Sequence, residues 1–372
     1  MRHVIGLLPL PHGLLLFVYL VTSRFVTTDV PSGVPSGVPD RAWWLLYGLV
    51  SLLNEFTPFF FLPLPLWLLT AAITRTASGA VAAAVPWLIF AWLYGELFLP
   101  RFAGAGGQPR GAAEAGPAVR VMTFNLLATG RAAADRAAPI RAADPDVLLV
   151  QELSASLAQA LDAALSPVYP HRRLRLGPDG ASGQGLWSRY PIAAEELWDG
   201  SRRGERWQHA VLSVDGRRLH LVNLHLTSPA LRWRTIPDVP VPVTTGEVTQ
   251  ARSLEVAWLL PRLRELARGP DPLIVGGDLN MTDQTPEYRR LLGAGLRDAH
   301  REAGWGFGHS FPALPTLRIA SRRVPVPVPL VRIDYVLHSP RVHVSRVETW
   351  PDSGGSDHRP VVANLVLLPP TG

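Results

Sequence analysis

The chain contains neither cysteine nor lysine. The absence of cysteine excludes structural disulfides and thiolate metal sites, and it leaves the redox compartment undetermined. All 36 basic residues are therefore arginines, which says little about function, although arginine suits bidentate phosphate binding. A net charge of +6 over 372 residues is too small to indicate nucleic-acid binding by itself. No internal repeat of fixed period is evident.

The first 100 residues are mostly apolar. Three runs are long enough to cross a bilayer as helices: 3–21, about 51–73 and 79–99. Between them, residues 42–50 carry Trp43, Trp44 and Tyr47, which are typical of the aromatic belt at a membrane surface. A cleaved signal peptide is disfavoured, because no small-residue cleavage site follows the first run and two further runs come after it. The pattern predicts a multi-pass membrane anchor over residues 1–100.

Three spans with the N-terminus inside would place the rest of the chain outside the cytoplasm, which is the predicted location. The arginines give this orientation little support. Arg2 and Arg75 would lie inside, whereas Arg24, Arg41 and Arg101 would lie outside. A central region that crossed twice would instead place the remainder in the cytoplasm.

Beyond the apolar part, the composition predicts a flexible Gly/Ala/Pro-rich linker over 101–117 and a catalytic domain over 118–372. Predicted strands cover 119–127, 146–153, 217–226, 272–280, 333–339 and 360–368, and predicted helices cover 131–143, 154–165 and 246–266. The last strand is expected at an edge or in an outer position. Polar residues follow several strands, so the pattern indicates a layered α/β sandwich whose site lies at the strand ends.

Two polar clusters point to chemistry. Asp278 and Asn280 follow the apolar strand 273–277, two residues apart, so both side chains project from one face into a cleft. Asp357 and His358 form a second cluster near the C-terminus. Carboxylates beside a histidine can anchor a hard cation and activate water, which metal-assisted hydrolysis of a phosphate ester requires.

Seven short motifs resemble, in their order and spacing, those of the endonuclease/exonuclease/phosphatase superfamily, which has the DNase I-like fold. They are Phe124-Asn125, Gln151-Glu152, Gly185-Leu186-Trp187-Ser188-Arg189 with Pro191, His225, Gly277-Asp278-Leu279-Asn280, Ile333-Asp334-Tyr335 and Ser356-Asp357-His358-Arg359-Pro360. Each motif is weak alone, but the ordered set is highly specific. The resemblance implies a four-layer α/β sandwich over 118–368. With its apolar anchor, the chain is similar to the membrane-bound bacterial branch that includes glycopeptide-resistance-associated proteins.

The resemblance also implies a divalent-metal site. Glu152 matches the family's principal Mg²⁺ ligand, and it ends a strand at the cleft mouth, where a hard cation prefers oxygen ligands. Asn125 matches the asparagine that supports the metal and the phosphate, and Asp357 fits a second carboxylate of the metal site. Mg²⁺ is the expected cofactor, with Mn²⁺ as an alternative, and the choice between one and two metal ions stays open.

Five residues match catalytic positions of the family. Asp278 corresponds to the aspartate that orients or deprotonates the attacking water, and Asn280 to the asparagine that hydrogen-bonds the phosphoryl oxygen. His358 matches the histidine that contacts the phosphate or transfers a proton, with Asp334 fixing its tautomer. His225 matches the histidine that stabilises the transition state or the leaving group, although leucine precedes it where the family more often has threonine.

Each of these residues has a simpler interpretation in isolation. An Asp-X-Asn sequence after a strand is usually a turn or a helix cap. His225 alone is more typical of a structural histidine, and Glu152 could merely complement the dipole of the helix that follows it. The ordered occurrence of seven motifs favours a competent active site over seven unrelated coincidences.

Two proline-rich apolar segments, 229–243 and 324–331, flank the predicted site strands. We expect them to contact a bilayer and admit a phosphorylated lipid, with Trp233 as an interfacial anchor. The alternative is that they are polyproline or edge-strand connections packed on the domain. Glu55 and Glu96 fall near the predicted outer membrane face, where they either line a lipid access route or simply occupy the interface.

The favoured function is a membrane-anchored, Mg²⁺-dependent phosphoesterase that acts outside the cytoplasm on a lipid-linked phosphate, pyrophosphate or phosphodiester. An extracytoplasmic nuclease would use the same residues on DNA or RNA. It needs a basic, aromatic-bearing groove, but basic clusters are limited to 172–177, 201–207 and 321–323. A non-catalytic module that binds phosphorylated envelope components is the third alternative, which the full set of site residues disfavours. The substrate stays open because leaving-group specificity lies in variable loops.

Overall fold

A computed structural model describes residues 2–26, 50–99 and 116–369, with gaps at 129–132, 178, 203, 205, 229–230, 237–238, 245, 315 and 320–321. These residues form a helical segment (2–26 and 50–99) and an α/β region (116–369). The predicted linker and the predicted interfacial segment at 42–50, with its three aromatic residues, lie almost wholly outside the described residues. Their predicted roles therefore stay predictions.

The helical segment is built from apolar helices. They are α1 (Arg2–Gly6), α2 (Pro9–Val26), a helical stretch at 50–55, α3 (Leu64–Thr74) and α4 (Ala77–Tyr94), with 3₁₀ helices at Thr57–Phe61 and Gly95–Leu97. Most of the large apolar side chains that are exposed in the described residues lie on this segment. Three stretches are long and apolar enough to cross a membrane, in agreement with the three predicted runs: His3–Ser23, Thr57–Thr74 and Ala77–Leu97.

The α/β region alternates strands with helices. Its helices are α5 (Ala133–Ala143), α6 (Ala155–Leu165), α7 (Gly246–Arg268), α8 (Pro286–Gly293) and α9 (Ala299–Ala303). Its strands are β1 (Ala118–Asn125), β2 (Val147–Gln151), β3 (His171–Arg175), β4 (Gln184–Ser188), β5 (Ile192–Trp198), β6 (Trp207–Val214), β7 (Arg217–His225), β8 (Leu231–Ile236), β9 (Val239–Thr244), β10 (Leu273–Asp278), β11 (Arg297–Asp298), β12 (Thr316–Ile319), β13 (Arg322–Pro325), β14 (Asp334–His338), β15 (Val342–Thr349) and β16 (Val361–Leu367).

Two six-stranded mixed sheets carry the region. One has the strand order β15-β16-β1-β2-β4-β3, and the other has the order β11-β14-β10-β7-β6-β5. In each sheet the central pair is parallel, β1 with β2 and β7 with β10, while the other neighbours are antiparallel. Parallel strands end at the same edge of a sheet, so the polar residues that follow these four strands come together.

The layers follow from the side-chain alternation of the central strands. In β1, Val119 and Val121 face the core between the two sheets, whereas Met122 and Phe124 face the core under α5 and α6. On the other sheet, α7 and α8 cover a third core that includes Val256 of α7. Helices therefore flank two stacked sheets, which confirms the predicted four-layer α/β sandwich.

The last strand departs from the prediction in part. β16 was expected at an edge or in an outer position; it is not the edge strand, but it lies one place in from the edge, between β15 and β1, and pairs with both. The edge strand is β15, which was not recognised although its alternating valines are typical of a strand. Strands β3 to β6 were also absent from the sequence prediction.

Gly277 allows β10 to approach β7 closely. Its φ of 153° is unfavourable for residues with a side chain, and a Cβ at this position would lie 1.9 Å from the carbonyl oxygen of Leu224. Gly277 and Leu224 are register partners one residue before the strand ends at Asp278 and His225. A glycine is therefore required directly before the Asp278 carboxylate.

We predict that Gly277→Ala destabilises the protein by at least about 2 kcal/mol, because the new Cβ meets backbone and not a movable side chain. Thermal unfolding of the full chain in detergent measures the effect. Gly293→Ala is the matched control, since nothing lies within 4 Å of a Cβ at that helix end, and it should leave the unfolding temperature unchanged or slightly raised. Equal unfolding temperatures for the two variants would contradict the prediction.

Candidate active site

The predicted site residues meet where the central strands end. Asn125 is the last residue of β1, and Glu152 directly follows β2. In the other sheet, Asp278 ends β10 and has two cross-strand partners in register, His225 at the end of β7 and Asp334 at the start of β14. The two sheets thus contribute side chains to one cleft at their common edge.

The Asp278 carboxylate is the centre of the cluster and is 1% exposed. Its Oδ2 accepts hydrogen bonds from Asn125 Nδ2 at 2.9 Å and Asn280 Nδ2 at 3.2 Å, and its Oδ1 accepts from the Asn280 backbone N–H at 2.9 Å. The same Oδ2 lies 3.8 Å from Nε2 of His225 and 3.7 Å from Nε2 of His358. Burial raises the pKa of Asp278 to about 6, although the two histidines act in the opposite direction.

His358 and Asp334 form a buried dyad. The His358 Nδ1 lies 2.9 Å from Asp334 Oδ2, which leaves Nε2 directed toward Asp278. Burial alone would lower the pKa of His358, but the carboxylates of Asp334 and Asp278 outweigh it and hold this pKa well above its usual value. The ring of Phe311 packs on the imidazole with centroids 4.8 Å apart. His358 is therefore oriented to donate a proton from Nε2.

The first sheet reaches the same cluster through Asn125 and Glu152. Asn125 Nδ2 donates to Glu152 Oε1 at 3.0 Å as well as to Asp278, while its Oδ1 accepts from the Leu127 N–H at 3.0 Å. Glu152 Oε1 also lies 3.9 Å from Nε2 of His225. The Glu152 side chain is 29% exposed, so this carboxylate stands at the mouth of the cleft.

The donor set fits a divalent cation. Oδ1 of Asp357 is buried without a hydrogen-bond partner among the described residues. Burial raises the pKa of Asp357, and the charge of Glu152 raises it further. Two neighbouring carboxylates with one unpartnered buried oxygen are the arrangement that a hard cation stabilises. Asn125, as placed, orients Glu152 and Asp278 through its amide nitrogen, so its own contact with a metal stays a prediction.

A second group could hold a metal ion in the described part of the chain. The ligand atoms of Asp278, Asp334 and His358 all lie within 4.8 Å of one another. Asp334 and His358, however, are already joined by a 2.9 Å hydrogen bond, which is typical of an acid/base dyad. We therefore interpret this group as catalytic and keep the metal at Glu152 and Asp357 as the prediction.

The structure brings all the predicted site residues to one edge of the sandwich. Asp278 contacts Asn125, Asn280, His225 and His358 directly, and Asp334 joins through His358. Glu152 joins through Asn125, and Asp357 directly precedes His358 in the chain. Their individual roles in binding and catalysis stay predictions.

The first proline-rich segment, 229–243, lies in the hairpin of β8 with β9. The second, 324–331, begins at the end of the hairpin of β12 with β13 and continues as a loop whose Leu330 and Val331 N–H groups donate to Phe311 O. The side chain of Trp233 lies outside the described residues, as do most of the other side chains in these hairpins. The expected contact of these segments with a bilayer therefore stays a prediction.

Two buried residues that support the loop after Asp278, Arg252 and Glu55, were not identified as site residues from the sequence. Arg252 of α7 is 1% exposed, lies 2.8 Å from Glu55 of the helical segment, and donates to the backbone oxygen of Asn280. A signal was present, because Arg252 is four residues before Val256 and seven before Leu259 on the apolar face of α7. The carboxylate of Glu55 is buried and pairs with this arginine, and the expected place of Glu55 on a lipid access route stays a prediction.

Glu96 also contacts the α/β region. Its carboxylate pairs with Arg301, and the nearby Gly306 N–H donates to Leu97 O at 2.8 Å. The ring of Phe307 packs on Tyr94 with centroids 5.4 Å apart. The ends of these helices are therefore packed against the α/β region. The ion pair of Glu96 with Arg301 was not predicted from the sequence.

Comparisons with known proteins agree with the geometry. A family model described as "Endonuclease/Exonuclease/phosphatase family" matches residues 122–358. A solved endonuclease/exonuclease/phosphatase from Beutenbergia cavernae is 22% identical, with 67% of this chain and 72% of that chain covered and a TM-score of 0.51. A mannosyl-6-phosphatase from Bacteroides thetaiotaomicron is 18% identical, with 67% and 100% covered and a TM-score of 0.50. At these identities the structures show a shared fold. The search of curated proteins found no match.

We predict that Asp334→Asn lowers the pKa of His358 by at least about one pH unit, because the carboxylate that favours the imidazolium is lost. An NMR titration of histidine-labelled protein, stripped of divalent metal by a chelator, measures this pKa, with the signal assigned by His358→Gln. Asp271→Asn is the matched control, since Asp271 lies 3.5 Å from His220 and not in the cleft. An unchanged His358 titration in Asp334→Asn would refute the dyad.

Proposed function

The chain belongs to the endonuclease/exonuclease/phosphatase family, and from this premise we propose that it is a membrane-anchored, divalent-metal-dependent phosphoesterase that hydrolyses a lipid-linked phosphate ester. Members of the family hydrolyse phosphoester bonds, generally with divalent metal ions. The observation that carries the proposal is the buried Asp278 carboxylate, which has Asn125, His225 and His358 around it at the joint edge of the two sheets.

Asp278 acts on the attacking water in this proposal. A pKa of about 6 is close to the working pH of most proteins, which is the range where a general base combines availability with proton affinity. The hydrogen bonds from Asn125 and Asn280 fix the direction of the carboxylate. A water held by Asp278 would therefore meet the phosphorus from one defined side.

The histidines act on the charge that develops at phosphorus. His358, held as a donor by Asp334, gives a proton or a hydrogen bond from Nε2 to a phosphoryl or leaving-group oxygen, and His225 acts from the other side of Asp278. Asn280 Nδ2 donates to Asp278 and to Leu226 O. Its predicted contact with a phosphoryl oxygen thus requires it to exchange one of these two bonds.

Glu152 and Asp357 would hold the cation, with Asn125 fixing the orientation of Glu152. A bound divalent ion would supply charge that neutralises the phosphoryl oxygens as the phosphorus is attacked. The partial exposure of Glu152 lets the cation enter the site together with the phosphate.

Contact with the helical segment supports a lipid substrate. Thr282, four residues after Asp278, donates its N–H to Glu55 Oε2 at 2.9 Å and its hydroxyl to Asn54 O at 2.9 Å. If the three apolar stretches cross a bilayer, this loop lies at the membrane surface, where lipid phosphates are found. Tethering also raises the effective concentration of a substrate in the same membrane. With the N-terminus inside, the site faces away from the cytoplasm.

The arginines of β3 argue against a nuclease. Arg172 pairs with Asp162, and both Arg173 and Arg175 pair with Glu195. Nucleic-acid binding requires arginines that are available to neutralise phosphates. The most basic stretch of the sequence is thus largely neutralised within the protein, and a nuclease is the second candidate.

We predict Asp278-dependent release of phosphate or headgroup from a lipid substrate by the full chain in detergent with Mg²⁺. The panel consists of a polyprenyl pyrophosphate, a phospholipid, plasmid DNA and bis(p-nitrophenyl) phosphate. Asp278→Asn should lower turnover at least about a thousandfold, because it removes the proposed base while keeping the shape. Asp199→Asn, at a side chain that is 70% exposed, is the matched control and should keep full activity. Cleavage of DNA alone would establish the nuclease instead, and silence on the whole panel would favour a binding module.

We further predict that Glu152→Gln raises the Mg²⁺ concentration for half-maximal turnover at least about tenfold, because a neutral amide is a weaker ligand for a hard cation. A Mg²⁺ titration of turnover after chelation measures it. Glu348→Gln, on the far strand β15, serves as the control. An unchanged Mg²⁺ dependence in Glu152→Gln would show that the metal binds elsewhere.

A further inference from the structure

A buried ion pair joins the helical segment to the α/β region behind the site. Glu55 Oε1 lies 2.8 Å from Arg252 Nη2, and the two side chains are 9% and 1% exposed. Removing two charges from water is costly, so such a pair is stable only where further hydrogen bonds satisfy both groups. The other hydrogen bonds of Glu55 and Arg252 therefore show what stabilises the buried pair.

Both members of the pair continue onto the loop after Asp278. Arg252 Nη1 donates to the backbone oxygen of Asn280, and Glu55 Oε2 accepts from the Thr282 N–H at 2.9 Å. A third bond runs from the Thr282 hydroxyl to Asn54 O at 2.9 Å. The helical segment thus holds this loop at two residues, one directly and one through Arg252.

The backbone of the loop is left-handed at Asn280. Its φ of 51° is a conformation that asparagine adopts more readily than most residues other than glycine, and the hydrogen bonds around Asn280 select it. The backbone N–H of Asn280 donates to Asp278 Oδ1 at 2.9 Å. The conformation of Asn280 therefore sets the orientation of the Asp278 carboxylate.

Asn54 and Glu55 are themselves fixed within the helical segment. The hydroxyl of Tyr19 on α2 donates to Asn54 Oδ1 at 2.5 Å and lies 2.8 Å from the hydroxyl of Thr57. The support for the loop is thus anchored on two apolar helices that lie far from it in the sequence.

We propose that Glu55 is a positioning residue for the reaction: acting through Arg252, it holds Asn280 in its left-handed conformation and so aims the Asp278 carboxylate. The helical segment is then part of the catalytic unit as well as an anchor. The proposal rests on the proposed phosphoesterase function for its turnover readout, but not for its structural readout. A misplacement of about 1 Å in a reacting group costs on the order of a hundredfold in rate.

The test compares Glu55→Gln with Glu96→Gln in the full chain. Glu96 also pairs with an arginine across the same boundary, and among the described residues this arginine continues to the Asp283 side chain and not to residues 278–282. In Glu55→Gln we expect at least about tenfold faster hydrogen exchange of the backbone amides 279–282, measured by mass spectrometry. With bis(p-nitrophenyl) phosphate as the probe, kcat should fall by about tenfold to a hundredfold, while KM stays within about threefold because binding groups are untouched. Glu96→Gln should change neither quantity.

A double variant tests whether Glu55 acts through Arg252. If it does, Glu55→Gln combined with Arg252→Gln loses no more kcat than Arg252→Gln alone. Multiplying losses would overturn the route through Arg252. Equal exchange and equal kcat in Glu55→Gln and Glu96→Gln, or a rise in KM at constant kcat, would overturn the proposal as a whole.

Two outcomes require further measurements: a Glu55→Gln variant that does not fold, and a wild-type protein that hydrolyses none of the phosphate esters. If Glu55→Gln does not fold, Glu55→Asp takes its place, since it keeps the charge beside Arg252 but shortens its reach. Loop exchange and kcat in Glu55→Asp equal to those of Glu96→Asp would again overturn the proposal. If the wild-type protein hydrolyses none of the phosphate esters, the proposed function fails, and the exchange rates of residues 279–282 still decide the positioning role.

Discussion

A carboxylate as buried as that of Asp278 is stable only where donors surround it, and this requirement organises the site. The donors come from both sheets: Asn125 ends a strand of the first, while Asn280 follows a strand of the second. The two parallel central pairs must therefore end together, and β10 must approach β7 closely enough to exclude a side chain at Gly277. The sandwich is thus the scaffold on which one buried acid meets its partners.

Burial of this acid also produces its chemistry. Because Asp278 is desolvated, its pKa rises toward neutrality, and because His358 faces two carboxylates, its pKa rises as well. The pair thus combines a base of moderate strength with a histidine that holds its proton. Asp334 fixes the ring through Nδ1, so the proton on Nε2 is directed into the cleft. Burial thus supplies the base, Asp278, and the two carboxylates around His358 supply the acid beside it.

The helical segment meets the site through two loops. One is the Asp278 loop, bound by Glu55 through Arg252. The other runs from Phe307, which packs on Tyr94, to Phe311, which packs on His358. Helices that are apolar enough for a membrane therefore contact the supports of both the base and the acid. This arrangement explains why an arginine stands on the buried face of α7.

The sequence predicted what is encoded locally. Asn125, Glu152 and Asp278 each stand at the end of an apolar strand, and a polar residue in that position can be read without a structure. The place of β16 inside the edge of its sheet could not be read from its own residues, because it depends on pairing with β15. The contact between Glu55 and Arg252 was beyond sequence reasoning, since the two residues are 197 positions apart and only the docking of the helices brings them together. Arg252 could still be noticed in the sequence, because it is a charged residue in helical spacing with the apolar residues Val256 and Leu259.

The most direct test of the account is to locate the metal. An anomalous-scattering map of crystals of the full chain grown with Mn²⁺ and a phosphate analogue would show both the ion and the phosphorus position. We predict the ion beside Glu152 and Asp357, with the phosphate between it and Asp278 and within reach of His358. An ion bound instead by Asp278, Asp334 and His358 would occupy the place of the attacking water and contradict the assignment of base, acid and metal ligands.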